Sequence, residues 1–163
     1  MALTIDDIGI AVRDAIRDST AILNFCTTNF SKTHSVYYGS TGSKSPPPEA
    51  HPAFGVVPWA KERGEDEENR IFTISVMLYI TDETRESAQT GSGVKYITYR
   101  GLEKLEDLLD LAMTAIKGIS SELFFDDKTW EFDPMEHFPM FVGELTLTVT
   151  FPILIGGFEP TIT

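Results

Sequence analysis

Two stretches of almost unbroken alternation, Arg70–Ile80 and Phe141–Phe151, do most to limit what this chain can fold into. In the first, Phe72, Ile74, Val76, Leu78 and Ile80 share one side, with Thr73, Ser75, Met77 and Tyr79 on the other. In the second, Phe141, Leu145, Leu147, Val149 and Phe151 stand opposite Glu144, Thr146, Thr148 and Thr150. Successive side chains of a strand point to opposite faces, so a period of two predicts strands. One apolar and one polar face per strand predicts an antiparallel sheet buried on a single side.

Two helices are expected to cover that side. The first runs from about Thr4 into the low twenties, where Ile5, Ile8, Val12, Ala15, Ile16, Ala21 and Ile22 recur at helical spacing opposite Asp7, Arg13, Asp14, Arg17 and Asp18. Thr4 with Asp7 reads as a capping box with a shorter acid, while Gly9 weakens the helix by ~1 kcal/mol relative to alanine. The second covers Gly101–Lys117, with Leu102, Leu105, Leu108, Leu109, Ala112, Met113 and Ile116 as its buried stripe and Glu103, Lys104, Glu106, Asp107 and Asp110 solvated. Gly118 is placed to end it.

Around these elements, Ser35–Gly39 reads as a short strand. The turn-rich segment Ser40–Pro48 contains three prolines, which are expected to forbid a helix start or a central strand. Ala53–Trp59 is a strand that pairs with Arg70–Ile80 as a long hairpin, with Ala60–Asn69 as its charged overhanging tip. Thr81–Val94 is polar, contains Gly91-Ser92-Gly93, and is expected to be mobile or ordered only by a partner. Thr129–Asp133 and Phe141–Phe151 form a closing hairpin interrupted by Pro134–Pro139, and the tail Pro152–Thr163 leaves the domain. The order helix, strand, hairpin, helix, hairpin predicts one α+β domain over residues 1–163: a small antiparallel or mixed sheet with two helices on one face.

Composition narrows the function classes. With 42% hydrophobic residues in 163, the chain can bury a substantial core and does not read as disordered. No apolar run approaches the ~20 residues that span a bilayer, and the acidic start does not resemble a signal peptide. A single cysteine, Cys26, permits neither an intrachain disulfide nor a cysteine metal cluster, which fits a reducing cytoplasmic setting. The net charge of −12 disfavours sequence-independent nucleic-acid binding.

Motifs for catalysis are not found. Lys44-Ser45 ends a glycine-containing loop, but a phosphate loop needs glycines where Ser43 and Tyr38 stand, and prolines follow instead of a helix. Asp126, Asp127, Asp133, Glu136 and His137 could offer oxygens to a hard cation, yet their spacing is not that of a calcium loop and a charged turn explains them as well. Cys26, on an amphipathic helix, reads as packing. His34, His51 and His137 stand in strand edges or loops with no recognisable partner. The expectation is therefore no enzyme, no cofactor and no metal.

Binding to other protein subunits has more support. The threonine-rich side of Phe141–Phe151 is polar but carries only Glu144, whereas solvated sheets are usually guarded by charge. The two long loops are the candidate contact regions: Lys61, Glu62, Arg63, Glu65, Asp66, Glu67, Glu68 and Arg70 in the first, and Thr81, Asp82, Glu83, Arg85 and Glu86 in the second.

In order, length and pattern, nearly the whole chain resembles the tail terminator (tail completion) proteins of long-tailed bacteriophages, the lambda type in particular. The resemblance rests on the N-terminal helix from Thr4, the aromatic strand Val36-Tyr37-Tyr38, the strand Pro52–Val57, a charged hairpin tip, the strand Arg70–Ile80, the helix Gly101–Lys117, and a closing hairpin leading from Trp130–Asp133 to a threonine-rich last strand. It implies a hexameric ring that caps the tail tube, stops its polymerisation and offers its other side to head-completion or neck proteins. DNA would pass through the lumen without specific binding. Such a protein is made in the host cytoplasm, resides at the virion's tail–neck junction, and has no membrane partner. The inserted Ser40–Pro48 segment, the longer Thr81–Val94 loop and the C-terminal extension depart from the lambda pattern. Rival readings are a head–tail connector or neck protein, a small metal-dependent enzyme or binder using Asp126–His137, and a monomeric adaptor.

Overall fold

The computed structural model describes residues 4–39, 45–63, 69–120, 123–133 and 138–152. Its first helix, α1, spans Ile5–Asp18 and starts in the expected capping box: the Asp7 amide donates to Thr4 Oγ1 at 3.1 Å, and the Thr4 amide donates to Asp7 Oδ2 at 2.8 Å. The expected single N-terminal helix is in fact two, because Ser19 leaves helical geometry (φ −67°, ψ 110°) and caps α2, Thr20–Phe30. The Ser19 hydroxyl accepts from the Ile22 amide at 3.3 Å, the local bond by which serine competes with continued helix. Gly9 is buried, and a Cβ there would lie 2.8 Å from the Tyr38 hydroxyl oxygen. What weakens the isolated helix is what lets it approach the sheet.

The strands are β1 (Ser35–Tyr38), β2 (Ala53–Arg63), β3 (Asn69–Thr81), β4 (Arg85–Gln89), β5 (Lys95–Tyr99), β6 (Phe124–Asp133) and β7 (Met140–Pro152), with α3 (Gly101–Lys117) between β5 and β6. Five of them form a mixed sheet in the order β1-β2-β3-β7-β6, and β4 and β5 pair separately. Only β1–β2 is parallel within the larger sheet; its other pairs are antiparallel. A 3₁₀ turn, Pro48–Ala50, begins at the third proline of the turn-rich segment. This corrects the expectation that the prolines bar any helical start, since proline's fixed φ suits the first helical position and its missing N–H is not needed there. Residues 40–44 of that segment, and 153–163 of the expected tail, lie outside the described residues.

All three helices join one core with a single side of the sheet, so the α+β class is as expected. Ile8, Val12 and Ile16 of α1, Leu105, Leu108, Leu109 and Ile116 of α3, and Phe54, Phe72, Ile74, Leu78, Leu145 and Leu147 of the strands are fully buried. Leu102, expected in the buried stripe of α3, is instead 38% exposed. The opposite side of the sheet carries Thr73, Met77, Val142, Glu144, Thr146 and Thr148, all half-buried, and Ser75 Oγ donates to Glu144 Oε1 at 2.6 Å across the β3–β7 pair. One end of that side is roofed by His51, whose ring stacks on Tyr79 with centroids 6.0 Å apart.

Candidate functional site

Thr81–Val94, expected to be mobile or ordered only by a partner, supplies β4 and the turn of a two-stranded hairpin whose second strand, β5, follows it. Five backbone register pairs run from Arg85 opposite Tyr99 to Gln89 opposite Lys95. The turn closes where Gly93 takes a positive φ of 85°, which glycine accommodates without strain, and the Thr90 amide donates to the Val94 carbonyl at 2.9 Å. The recurrence of Tyr96 and Thr98 against Lys95, Ile97 and Tyr99, just after Gly91-Ser92-Gly93, is a hairpin signal; the polar composition of β4 hides it.

At its root the hairpin is firmly tied. Asp82 is only 7% exposed; its Oδ1 accepts from the Thr84 amide at 2.9 Å and its Oδ2 lies 2.8 Å from Lys104 Nζ on α3. Burial alone would raise the Asp82 carboxyl, but the bonds from Lys104 and Thr84 outweigh it and hold the pKa below the usual carboxylate range. Arg100 bridges Glu86 at 2.8 Å and Glu103 at 2.7 Å. The Tyr99 ring meets Phe138 edge-on at 4.9 Å between centroids, and Phe138 in turn meets Phe141 of the core wall.

Beyond the root, all ten strand residues are exposed. Val94, Tyr96, Ile97 and Tyr99 are 62%, 52%, 53% and 43% exposed, so this arm carries large apolar side chains that the described residues leave largely open, Tyr99 being covered on one side by Phe138. A two-stranded ribbon on its own is marginally stable in water, and clustered exposed apolar groups mark contact surfaces.

The other sequence candidates fall as follows. Glu83, Arg85 and Glu86 are exposed at or near the base of this arm, and Thr81 ends β3 opposite Met140. Asp82 lies inside the fold, where its carboxylate anchors the turn to α3. In the β2–β3 hairpin the strands continue through Arg63 and resume at Asn69, so the tip is shorter than the expected Ala60–Asn69. Lys61, Glu62 and Arg63 sit opposite Phe72, Ile71 and Arg70, because ladder pairing satisfies backbone groups whatever side chains they bear. Glu65, Asp66, Glu67 and Glu68 lie outside the described residues.

Asp126, Asp127 and Asp133 belong to β6 and not to a turn, and Asp126 is exposed. Glu136 and His137 lie outside the described residues, among which no group of acids, histidines or cysteine is disposed to hold a metal ion. Cys26 is fully buried, and burial pushes its thiol up to about 12, far from the range of a reactive thiolate. A cleft beside β1 is lined by Arg13, Arg17 and His34, but both arginines are already paired, Arg13 with Asp14 and Arg17 with Asp14 and Asp18.

Two histidines expected to lack partners have them. His34 Nε2 lies 3.0 Å from the Ile16 carbonyl, and His51 bridges the Pro46 carbonyl through Nε2 at 3.0 Å and Thr81 Oγ1 through Nδ1 at 2.8 Å. Since the carbonyls accept, Nε2 carries the proton in each ring. Burial depresses both pKa values, so the folded chain binds these protons less readily than the unfolded one. Stability from this source is full above the unfolded value of about 6.5 and is lost as pH falls through that value toward the depressed folded ones. Urea melts are expected to show a falling midpoint from about pH 7.5 to about pH 5.5, with a shallower fall in His51→Gln.

No protein-family model and no curated protein matches the chain. Among the described residues no helix is long and apolar enough to cross a membrane.

Proposed function

We propose that this protein is a structural subunit of the phage tail–neck junction: a tail terminator that assembles into a ring, caps the tail tube and presents a surface for head attachment. The observation that carries the reading is the β4–β5 arm, where Tyr96 and Ile97 are more than half exposed and Tyr99, though it meets Phe138, is still 43% exposed among the described residues. A subunit that acts by association places apolar groups outside its core in this way, whereas an isolated monomer gains nothing from them. The sheet face away from the helices adds support. It is rich in threonine, and the carboxylate that β7 carries, Glu144, accepts from Ser75.

The resemblance in element order to lambda-type tail terminators supplies the particular role, and the net charge of −12 suits a lumen through which DNA slides without sticking. Light scattering on the purified protein, alone and with the tail-tube protein of the same phage or prophage, tests it. The expected result is a hexamer, or a monomer that becomes a ring at tube ends and halts their growth. A species indifferent to tubes that instead binds head-completion protein would move the chain to the connector class.

A further inference from the structure

The two sides of the β4–β5 arm differ. By the strand register, Arg85, Ser87, Gln89, Lys95, Ile97 and Tyr99 share one face, and Glu86, Ala88, Tyr96 and Thr98 the other. The first face therefore joins two cations to two exposed apolar side chains and carries no acid. Neither Arg85 nor Lys95 forms an ion pair with a described residue, whereas Arg100 at the root is held by Glu86 and Glu103. In a chain of net charge −12, a cationic apolar face is the exception.

Its complement lies on α3. Glu106, Asp107 and Asp110 are exposed on the side of the helix turned from the core and form no ion pair with a described residue; Leu102, 38% exposed, borders them one turn before Glu106. A five-residue ribbon extends about 17 Å, and the α3 segment from Leu102 to Asp110 about 12 Å, so the ribbon is long enough to span the helix surface, and the two are opposite in sign. Among the described residues of one chain the two surfaces do not pair with each other.

We infer that the Arg85–Lys95–Ile97–Tyr99 face of the β4–β5 hairpin docks on the Leu102–Glu106–Asp107–Asp110 side of α3 in a second copy of this chain. Ile97 and Tyr99 cover Leu102 while the two cations meet the three carboxylates. Because donor and acceptor surfaces differ, the contact is head-to-tail, the kind that propagates around a ring and closes when the rotation permits. The inference rests on the ring reading and assigns that ring its subunit contact.

Charge reversal with mixing tests it. One variant carries Arg85→Glu and Lys95→Glu, the other Glu106→Lys and Asp107→Lys; all four sites are exposed, and thermal melts confirm that each variant folds. Each variant alone opposes like charges at every contact and is expected to self-associate at least about tenfold more weakly than the wild type. Mixed in equal amounts, acidic arms meet basic helices and wild-type arms meet wild-type helices, so the oligomer is expected to return with the two chains alternating. Mass is read by light scattering with and without tail-tube protein. If the variants alone keep the wild-type mass, or the mixture fails to restore it, the contact is overturned and the ring reading survives with its interface elsewhere. Unchanged self-association with lost tube binding makes the arm a contact for a different chain and overturns the inference. A wild type that self-associates in neither setting overturns both.

Discussion

Phe54→Ala is expected to lower stability by about 3–5 kcal/mol, measured as the shift in a urea or thermal midpoint. Phe54 is fully buried on β2 with Leu78 beside it on β3 and Val36 beside it on β1. The His34 ring meets it edge-on with centroids 5.9 Å apart. Truncation removes apolar burial and opens a cavity where rigid elements meet from both directions, so little collapse can refill it. A whole domain of this size holds about 5–15 kcal/mol, so this one ring is a large share. The loss should also reach the edge strand first: β1 has only four residues, its one neighbour among the described strands is β2, and its protection against hydrogen exchange should fall before that of β3 and β7. A change below about 1 kcal/mol would mean that β1 and α1 adjust far more freely than their packing indicates.

The second large effect is expected at the start of α3. Gly101 is buried there, and a Cβ added to it would stand 2.1 Å from Cε2 of Phe141 and 2.4 Å from its Cδ2. Such distances are impossible, so either the helix start or the ring must move. Phe141 is 3% exposed, with Phe138 packed edge-on against it, and cannot swing into solvent without leaving an apolar void. Gly101→Val is therefore expected to cost about 3 kcal/mol or more, at the upper end of overpacking effects. Replacing Phe141 with leucine in the same chain should return part of that loss, because the removed ring atoms are those the new side chain meets. A cycle of the two single and one double variant measures the coupling; strict additivity would show that the clash is relieved some other way.

How far the sequence spoke differs from element to element, and the reasons are physical. Helix α3 keeps the predicted bounds, Gly101–Lys117, and β3 and β7 lie where their alternation places them, each one residue longer at either end. Those elements bury one face, and burial writes a period into the side chains. The break between α1 and α2 left no such mark, since Ile16 and Ile22 are both buried on either side of Ser19; only a single side-chain cap distinguishes the two helices from one. The parallel pairing of β1 with β2 is a matter of chain path, and four residues cannot encode it. The β4–β5 arm was hidden because its strands bury neither face and so show little apolar patterning on β4. His34 draws its partner, the Ile16 carbonyl, from 18 positions away, and His51 one of its two, the Thr81 hydroxyl, from 30 positions away, distances over which local reading has no purchase.

The seam at the middle of the large sheet joins β3, complete by Thr81, to β7, which begins only at Met140. On a ribosome, where the chain emerges from its N-terminus, the first half can assemble α1, α2 and the β2–β3 hairpin, yet β3 must wait with one edge unpaired until β7 has been made. For the whole of that interval a strand bearing Phe72, Ile74, Val76, Leu78 and Ile80 is open to any neighbouring chain with a free edge of its own. Crowded polysomes making many identical copies are therefore the setting in which this protein is most exposed to mispairing. Slower synthesis through the stretch before Met140 would lengthen the danger, and a bound chaperone there would shorten it.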